Sequence, residues 1–314
     1  MRTISALITA TALVATLASC SATGSATGGA GASCEVPAAP GNASSIVTAS
    51  GSFANDPQAH FPQPLISNEM EISVITAGDG ATVYPGDVAD IQATLYDAST
   101  GDAVTSTGYN PASPLRTVAG DGSSIFSTVI ECATVGSRVV ITLDAQAVAE
   151  TNPADTPVVL VIDVVDRFLG KANGVDQLPE AGMPAVVLAP SGQPGIVIPQ
   201  VTAPTELSVA VLKAGNGDVV AEGDSVVLNY TGMLWDTSVV FDSSWTSGLP
   251  ASFTAASGNG GLIPGFATAL IGQKVGSQVV VVIPPALGYG DAGTQGVPGG
   301  ATLVFVFDVL GIQK

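Results

Sequence analysis

Side chains able to do bond-making chemistry are scarce in this chain. One histidine, His60, three cysteines and eight Lys+Arg stand against 26 Asp+Glu in 314 residues. A lone histidine leaves no multi-histidine metal site, and no Ser-His-Asp triad unless His60 takes part. Three cysteines are too few for a thiolate-held cluster. No metal-ligand spacing occurs, so neither a metal nor any other cofactor is expected. Ser243 and Ser244 lack a base, and the Gly-rich stretch 257–261 is not followed by the lysine of a phosphate loop. Eight basic residues in a chain of net charge −18 cannot track a phosphate backbone, which excludes nucleic acid as a partner. What remains is aromatic: Tyr230, Trp235, Phe241, Trp245, Phe253, Phe266, Tyr289, Phe305 and Phe307 all fall in the C-terminal part of the chain. Aromatics in a small domain are usually core, and Phe253 and Phe307 are read so; the others cluster in three short segments.

The N-terminus carries an address. Arg2 precedes a short apolar run, Ile4 to Leu17, so 1–19 is expected to be a signal peptide. The run is too short to span a bilayer. Leu17-Ala18-Ser19-Cys20 resembles a bacterial lipoprotein signal, which makes Cys20 the lipidation site, carrying acyl chains such as palmitate. The resemblance implies a lipid bilayer as partner and an anchored, extracytoplasmic position on the outer face of the cytoplasmic membrane. Cleavage as an ordinary secretory signal would leave Cys20 a bystander. Residues 20–45 are expected to form a flexible tether, since 21–32 hold only Ser, Ala, Thr and Gly. In an oxidising compartment the other two thiols, Cys34 and Cys132, are expected to pair as a disulfide, the alternative being two free thiols.

The elements that position the aromatics come from a duplication. Residues 135–143 (VGSRVVITL) echo 275–283 (VGSQVVVVI), 72–86 echo 207–223, and 157–165 echo 301–309. Repeats of this length mark a duplicated domain. The copies are placed at 46–167 and 203–314, joined by a Pro/Gly-rich linker, 168–202, in which 185–189 and 195–198 suggest a small hairpin. Within each copy β-branched runs predict strands. One short helix is expected from Pro264 to Gly272, with Phe266, Ala269 and Leu270 on one face. The fold class is therefore α+β, each domain an antiparallel sheet over a short helix.

Five collinear segments sharpen this reading: Asn229–Leu234 (NYTGML), Val240–Ser244 (VFDSS), Leu262–Phe266 (LIPGF), Pro284–Gly290 (PPALGYG) and Ala301–Phe305 (ATLVF). In order and spacing they resemble the FKBP family of peptidyl-prolyl cis-trans isomerases. The resemblance implies a half-barrel sheet wrapped around a helix, with an apolar pocket between them. It also implies Xaa-Pro isomerase (rotamase) activity on proline-containing exported polypeptides, and binding of a macrolide ligand. Carried onto this chain, the catalytic set is Tyr230, Phe241, Asp242, Ile263, Phe266, Tyr289 and Phe305. Tyr230 and Phe241 form one wall and Phe305 another. The Ile263 N–H receives a substrate carbonyl, Asp242 is a buried carboxylate, and Tyr289 offers its hydroxyl. Leu262, Val297 and Trp245 complete the substrate-binding set, with Val297 on a flexible loop, 286–300, over the mouth. Phe266 stands where the family usually has Trp, and Ala251 near a usual wall aromatic, which leaves a roomier pocket.

In the first copy Gln92 is matched to Tyr230, Thr105 and Ser106 to Phe241 and Asp242, and Phe126 to Phe266. The first domain is therefore expected to be FKBP-like but degenerate. The chain is expected to be a monomer. The alternative function is a membrane-anchored holdase with weak or no isomerase activity. A passive surface scaffold is a third reading, disfavoured by the intact pocket set.

Overall fold

The computed structural model describes residues 34–144, 156–258 and 261–313. The expected signal peptide 1–19, the lipidated Cys20 and the tether up to Ser33 lie outside the described residues. The architecture is α+β, with antiparallel sheets and few, short helices.

The chain begins with a one-turn helix α1 (Asn42–Ser45) and a hairpin of β1 (Thr48–Ser50) and β2 (Gln58–His60). A first sheet follows, from β3 (Glu71–Thr76), β4 (Val88–Asp97), β5 (Ala103–Ser106), β6 (Leu115–Val118), β7 (Arg138–Leu143) and β8 (Val158–Phe168), with helix α2 (Ile125–Val129). Then come β9 (Val175–Asp176) and the linker hairpin, β10 (Ala185–Leu188) with β11 (Pro194–Val197). The second sheet holds β12 (Ser208–Ala214), β13 (Ser225–Leu234), β14 (Val240–Ser243), β15 (Ala251–Thr254), β16 (Gln278–Ile283) and β17 (Leu303–Gln313), with helix α3 (Pro264–Leu270). Strand order repeats between the sheets: β3-β7-β8-β4-β5 in the first, β12-β16-β17-β13-β14 in the second, where β9 adds an edge.

The central strands read RVVITL and QVVVVI, runs of β-branched residues with little polar alternation. A strand of that composition needs cover on both faces, and every residue of β7 and β16 is buried. One face of each sheet packs on its helix: Val279, Val281, Phe305 and Phe307 meet Phe266, Ala269 and Leu270 of α3. The opposite face is covered by the segment that precedes the sheet in the chain. Ala43, Val47 and Leu65 cover Val140, Val159 and Val161, while Val186, Ile196 and Ile198 cover Val280, Val282, Val304 and Val306. The linker hairpin is thus a structural cover for the second sheet.

Residues 34–45, expected within the flexible tether, are packed instead. Cys34 is bonded to Cys132 with their Cα atoms 5.5 Å apart. Ala38 packs on the first core, and the Ser44 N–H donates to Glu71 Oε2 at 2.8 Å. Apolar residues interspersed among the Pro and Gly of this stretch give it something to bury, which 21–32 lack.

A buried carboxylate clasps each cover at matching sites. In the first sheet Asp163 takes Arg138 Nε at 2.6 Å and Nη2 at 2.7 Å, and the Ala54 N–H of the covering segment at 2.7 Å. In the second, Asp308 takes Gln278 Nε2 at 2.7 Å and the Ala172 N–H of the linker at 2.9 Å. Burial raises the Asp308 carboxyl above the usual carboxylate range. The two halves also touch. Val88 and Phe168 pack with Val227 and Leu310. Arg116, paired through two nitrogens with Asp90, donates to the Pro250 carbonyl at 3.3 Å and Ser252 Oγ at 3.0 Å. Residues 34–314 accordingly form one compact unit.

Removing Arg138 leaves Asp163 charged and buried without its cation. Arg138→Met is expected to cost about 3–5 kcal/mol in urea unfolding. Arg138→Gln, which copies the Gln278–Asp308 pair, should cost clearly less; equal losses would count against the clasp.

Candidate active site

The recess lies on the α3 side of the second sheet. Strand alternation sends Tyr230, Gly232 and Leu234 of β13 and Phe305 and Phe307 of β17 to that face. The Phe305 ring stands edge-on to Phe241 (centroids 5.5 Å apart, planes at 90°) and to Phe266 (5.1 Å, 85°). Phe266 is tilted against Phe307 at 4.7 Å, and Tyr230 is edge-on to Phe253 at 5.5 Å. Phe266 and Phe305 are buried, while Tyr230, Phe241, Leu262, Ile263 and Tyr289 are partly exposed around them. The result is an apolar floor with an accessible aromatic wall.

Gly232 is the residue the motif analysis left without a role. A Cβ at this position would lie 2.7 Å from both Phe241 Cζ and Phe305 Cε1. The two rings therefore rest on bare backbone, and any side chain would push them apart. A glycine amid the β-branched and aromatic residues of β13 was the available signal, since interior strand glycines mark close approaches. Ser244, in the 3-10 turn Ser244–Thr246 after β14, also holds the wall. Its Oγ accepts the Tyr230 N–H at 3.0 Å and donates to Asn229 Oδ1 at 3.0 Å.

Phe241 owes its aim to a bulge. In the β13–β14 pairing Asp242 faces Gly232 and Val240 faces Met233, so Phe241 is the extra residue. Pro264 opens α3 at its first turn, and the Ile263 carbonyl accepts the N–H groups of Phe266 and Ala267 at 3.0 and 3.1 Å. The Ile263 N–H has no acceptor among the described residues.

Three expectations need correction. Asp242 is not buried: it lies exposed on the short edge strand β14, where one flank has no neighbouring strand. It accepts the Tyr230 hydroxyl at 2.8 Å, so it sits on the rim. Trp245 does not pack with the recess cluster. Its Cη2 lies 3.3 Å from where a Gly192 Cβ would be, so it leans on the linker hairpin turn. Val297 is buried in the core, not overhanging, because reciprocal bonds between Thr294 and Val297 (2.9 Å each) and a Gly300 N–H to Gly290 carbonyl bond at 2.9 Å fold its loop inward.

Electrostatically the rim is one carboxylate between two phenols. Burial, then the hydrogen bond to Asp242, pushes the Tyr230 phenol well above its ordinary value. Burial and the Asp242 charge do the same for Tyr289. Both are neutral donors at physiological pH. Among the described residues no group of three or more His, Cys, Asp or Glu could hold a metal.

The first sheet repeats the scaffold with different contents. Pairing shifts fall between Asp90 and Ile91 in β4 and between Val227 and Leu228 in β13. Matching these bulges places Ala93, not Gln92, at the Tyr230 position, and Leu95 at Gly232. The β4–β5 pairs likewise put Val104 and Thr105, not Thr105 and Ser106, at Phe241 and Asp242. Both halves carry these bulges at matching positions, so the spacing that separates Gly86-Asp87 from Gly223-Asp224 runs unchanged through both strand pairs, and the expected matches each departed from it by one residue. Leu95 packs on the first core, filling the position that Gly232 leaves bare.

Gly232→Ala is expected to destabilise the fold by about 1–3 kcal/mol through overpacking. It should also alter the near-ultraviolet circular dichroism of the displaced rings, whereas an unchanged aromatic spectrum would refute the contact.

Comparison with known proteins agrees with this geometry. The model of the family "FKBP-type peptidyl-prolyl cis-trans isomerase" matches residues 217–310. An FK506-binding protein of Streptomyces anulatus is 34% identical over 122 residues, covering 38% of this chain and 97% of that protein. The FKBP-type peptidyl-prolyl cis-trans isomerase FkpA of Escherichia coli (strain K12) is 41% identical over 112 residues, 36% of this chain and 40% of FkpA. The crystal structure of FkpA from Escherichia coli aligns with 36% identity over 43% of this chain and 53% of that chain, at a TM-score of 0.32. The chain thus spans well under two thirds of the length of the FkpA relatives it matches. With a strand–helix recess built from the segments that family shares, the chain belongs to the FKBP-type peptidyl-prolyl cis-trans isomerase family.

Proposed function

We propose that the recess of the second sheet catalyses cis-trans isomerisation of Xaa-Pro bonds in exported polypeptides, with no covalent intermediate. The observation that carries this is the Phe305 ring standing at right angles between Phe241 and Phe266, above a recess that contains no nucleophile, base or metal set among the described residues.

The chemistry needs no more. Rotation about the prolyl amide crosses a barrier of about 18–20 kcal/mol set by resonance. The twisted transition state loses that resonance and much of the carbonyl's charge separation. Water solvates the planar amide better than the twisted one, and an apolar site removes that preference. A dry aromatic recess therefore favours the twisted form. Each ~1.4 kcal/mol so gained is a factor of about ten in rate. In this reading the proline ring packs on Phe266 and Phe305, the Ile263 N–H takes the preceding carbonyl, and the neutral Tyr230 and Tyr289 hydroxyls orient the peptide. Leu262 shapes one end of the recess. A macrolide would occupy the same space.

Residues 46–167 and 203–314 are proposed as two FKBP-like domains, each a half-barrel over its helix, with 168–202 between them. The first is proposed to lack isomerase activity, because Ala93, Val104 and Leu95 stand at the Tyr230, Phe241 and Gly232 positions. Cys20 is proposed to carry the acyl chains that anchor the chain outside the cytoplasmic membrane. A holdase reading draws on Phe266, smaller than the Trp the resemblance leads one to expect, which walls a bound proline less tightly.

A protease-free isomerisation assay on an Xaa-Pro tetrapeptide tests the main reading. Phe241→Ala and Tyr289→Ala are each expected to lower kcat/KM by about tenfold or more, for ~1.4 kcal/mol of lost transition-state stabilisation. Rates indistinguishable from wild type would sink it.

The pH profile is a separate check. Folding raises both phenol pKa values, so the native state holds these protons more tightly than the unfolded chain. Their contribution to stability persists below the ordinary tyrosine pKa of about 10 and fades only as pH rises through the raised values. Activity is expected to show no phenol inflection up to about pH 10; an inflection at pH 8–9 would contradict the assignment.

A further inference from the structure

We infer that the groove between the two halves is a second subsite for the same client, receiving the residues that flank the proline and favouring an apolar side chain next to a cationic one. This rests on the isomerase reading for its client, and on separate observations for its location.

The groove has a volume of about 330 Å³ and lies between Leu115 and Phe126 of the first half and Ser247–Leu249 of the second. It is continuous with the recess along one stretch of chain. Phe241 and Asp242 form the recess wall and rim, and the 3-10 turn Ser244–Thr246 follows directly. Ser247–Leu249 then line the groove, and β15 returns with Phe253 against Tyr230 at 5.5 Å. Ser252, bonded to the groove residue Arg116, is followed by Phe253, which packs on Tyr230 of the recess, so the two sites are neighbours.

The groove is preformed. Arg116 ties its two sides together, holding Asp90 on one and the Pro250 carbonyl and Ser252 Oγ on the other. Gln313 Nε2 adds a bond to Asp90 Oδ2 at 3.1 Å. Binding there need not order two drifting halves first, which keeps its entropic cost low. Its occupant is set by chemistry. Leu115 and Phe126 are partly buried and Leu249 is exposed, so the floor is apolar and open. The guanidinium of Arg116, which also lines the groove, is held by Asp90, the Pro250 carbonyl and Ser252, while the exposed Asp121 carboxylate at the rim accepts the Ser123 N–H at 2.8 Å. With net charge −18 over the chain, the field around the groove favours a cation. Only an extended, unfolded segment can place single side chains in a space this small.

The test uses the full chain with Leu249→Asp and Asp121→Lys, both at exposed positions. Turnover is measured on a blocked Xaa-Pro tetrapeptide and on a reduced, carboxymethylated protein whose folding is limited by one Xaa-Pro bond. For each variant the ratio of long-substrate to tetrapeptide kcat/KM is expected to fall about fivefold, through KM and not kcat. Fluorescence anisotropy of a labelled, unfolded, proline-free Lys/Leu-rich polypeptide should show a matching loss of affinity. That measurement is independent of turnover, so a wild type inactive on both substrates would refute the isomerase reading while anisotropy still judges the groove. Unchanged ratios with unchanged affinity would overturn the inference. So would a dimer, seen by light scattering in the wild type and lost in Leu249→Asp, since it would make the groove a self-association surface.

Discussion

Two phenyl rings resting on one stretch of bare backbone set the geometry of the recess. Phe241 and Phe305 both close on Gly232, near enough that a methyl group there would touch each. Such contacts hold only if the strand beneath cannot move. Strand β13 gains that rigidity from its place in the sheet, paired with β17 along its length and with β14 and β15 on the other side. Burial of both sheet faces does the rest, because a close-packed interior transmits displacement instead of absorbing it. The linker hairpin, far from the aromatics in sequence, is thus part of the site's foundation: it seals the back of the sheet whose front carries the rings.

The division between floor and rim follows from the same constraint. Phe305 and Phe307 point inward from a central strand and Phe266 faces them from α3, and all three are buried. The polar groups sit where edge strand and loop reach solvent. Asp242 stays hydrated on β14, and the two tyrosines lay their rings against the core while their hydroxyls face that carboxylate. Burying Asp242 would have required a cation to offset the loss of water, and bases are few in this chain. Rim placement keeps the charge in water and leaves the floor apolar.

Much of this was legible in the residues. The repeated strand order, the strand-rich α+β architecture, the helix opened by Pro264, the hairpin within 168–202 and the aromatic set all follow from local patterns. What escaped was non-local. The matches Tyr230–Gln92 and Phe241–Thr105 were each one residue off, because the echo between the halves fades over these strands and only their pairing with β8 and β17, and with β5 and β14, fixes which residues correspond. Asp242 was misplaced because an edge strand looks like any other in sequence. Trp245 resembled a pocket residue by proximity to Phe241, yet the turn after β14 sends it toward Gly192. The packing of 34–45 was hidden by its Pro/Gly content, which resembles the tether before it. Gly232 lay in a recognised segment, but its role emerges only once two rings from other strands arrive over it.

The two halves show which parts of such a scaffold are free to change. Their strand order, their bulges and the carboxylate that clasps each covering segment are shared. The clasp tolerates substitution of its partner, a guanidinium at Arg138 and a neutral amide at Gln278, because backbone N–H groups supply further donors in each case. The concave face has no such constraint, since nothing in the sheet depends on its being hollow. Placing Leu95 where Gly232 stands removes the bare backbone that a second ring would need, and the aromatic wall then loses its seat whatever residue follows in β5. The difference between Gly232 and Leu95 is enough to fill, in the first half, the space where two rings close in the second. The sheet itself is indifferent to this exchange, since strand order, bulges and clasp are the same in both halves.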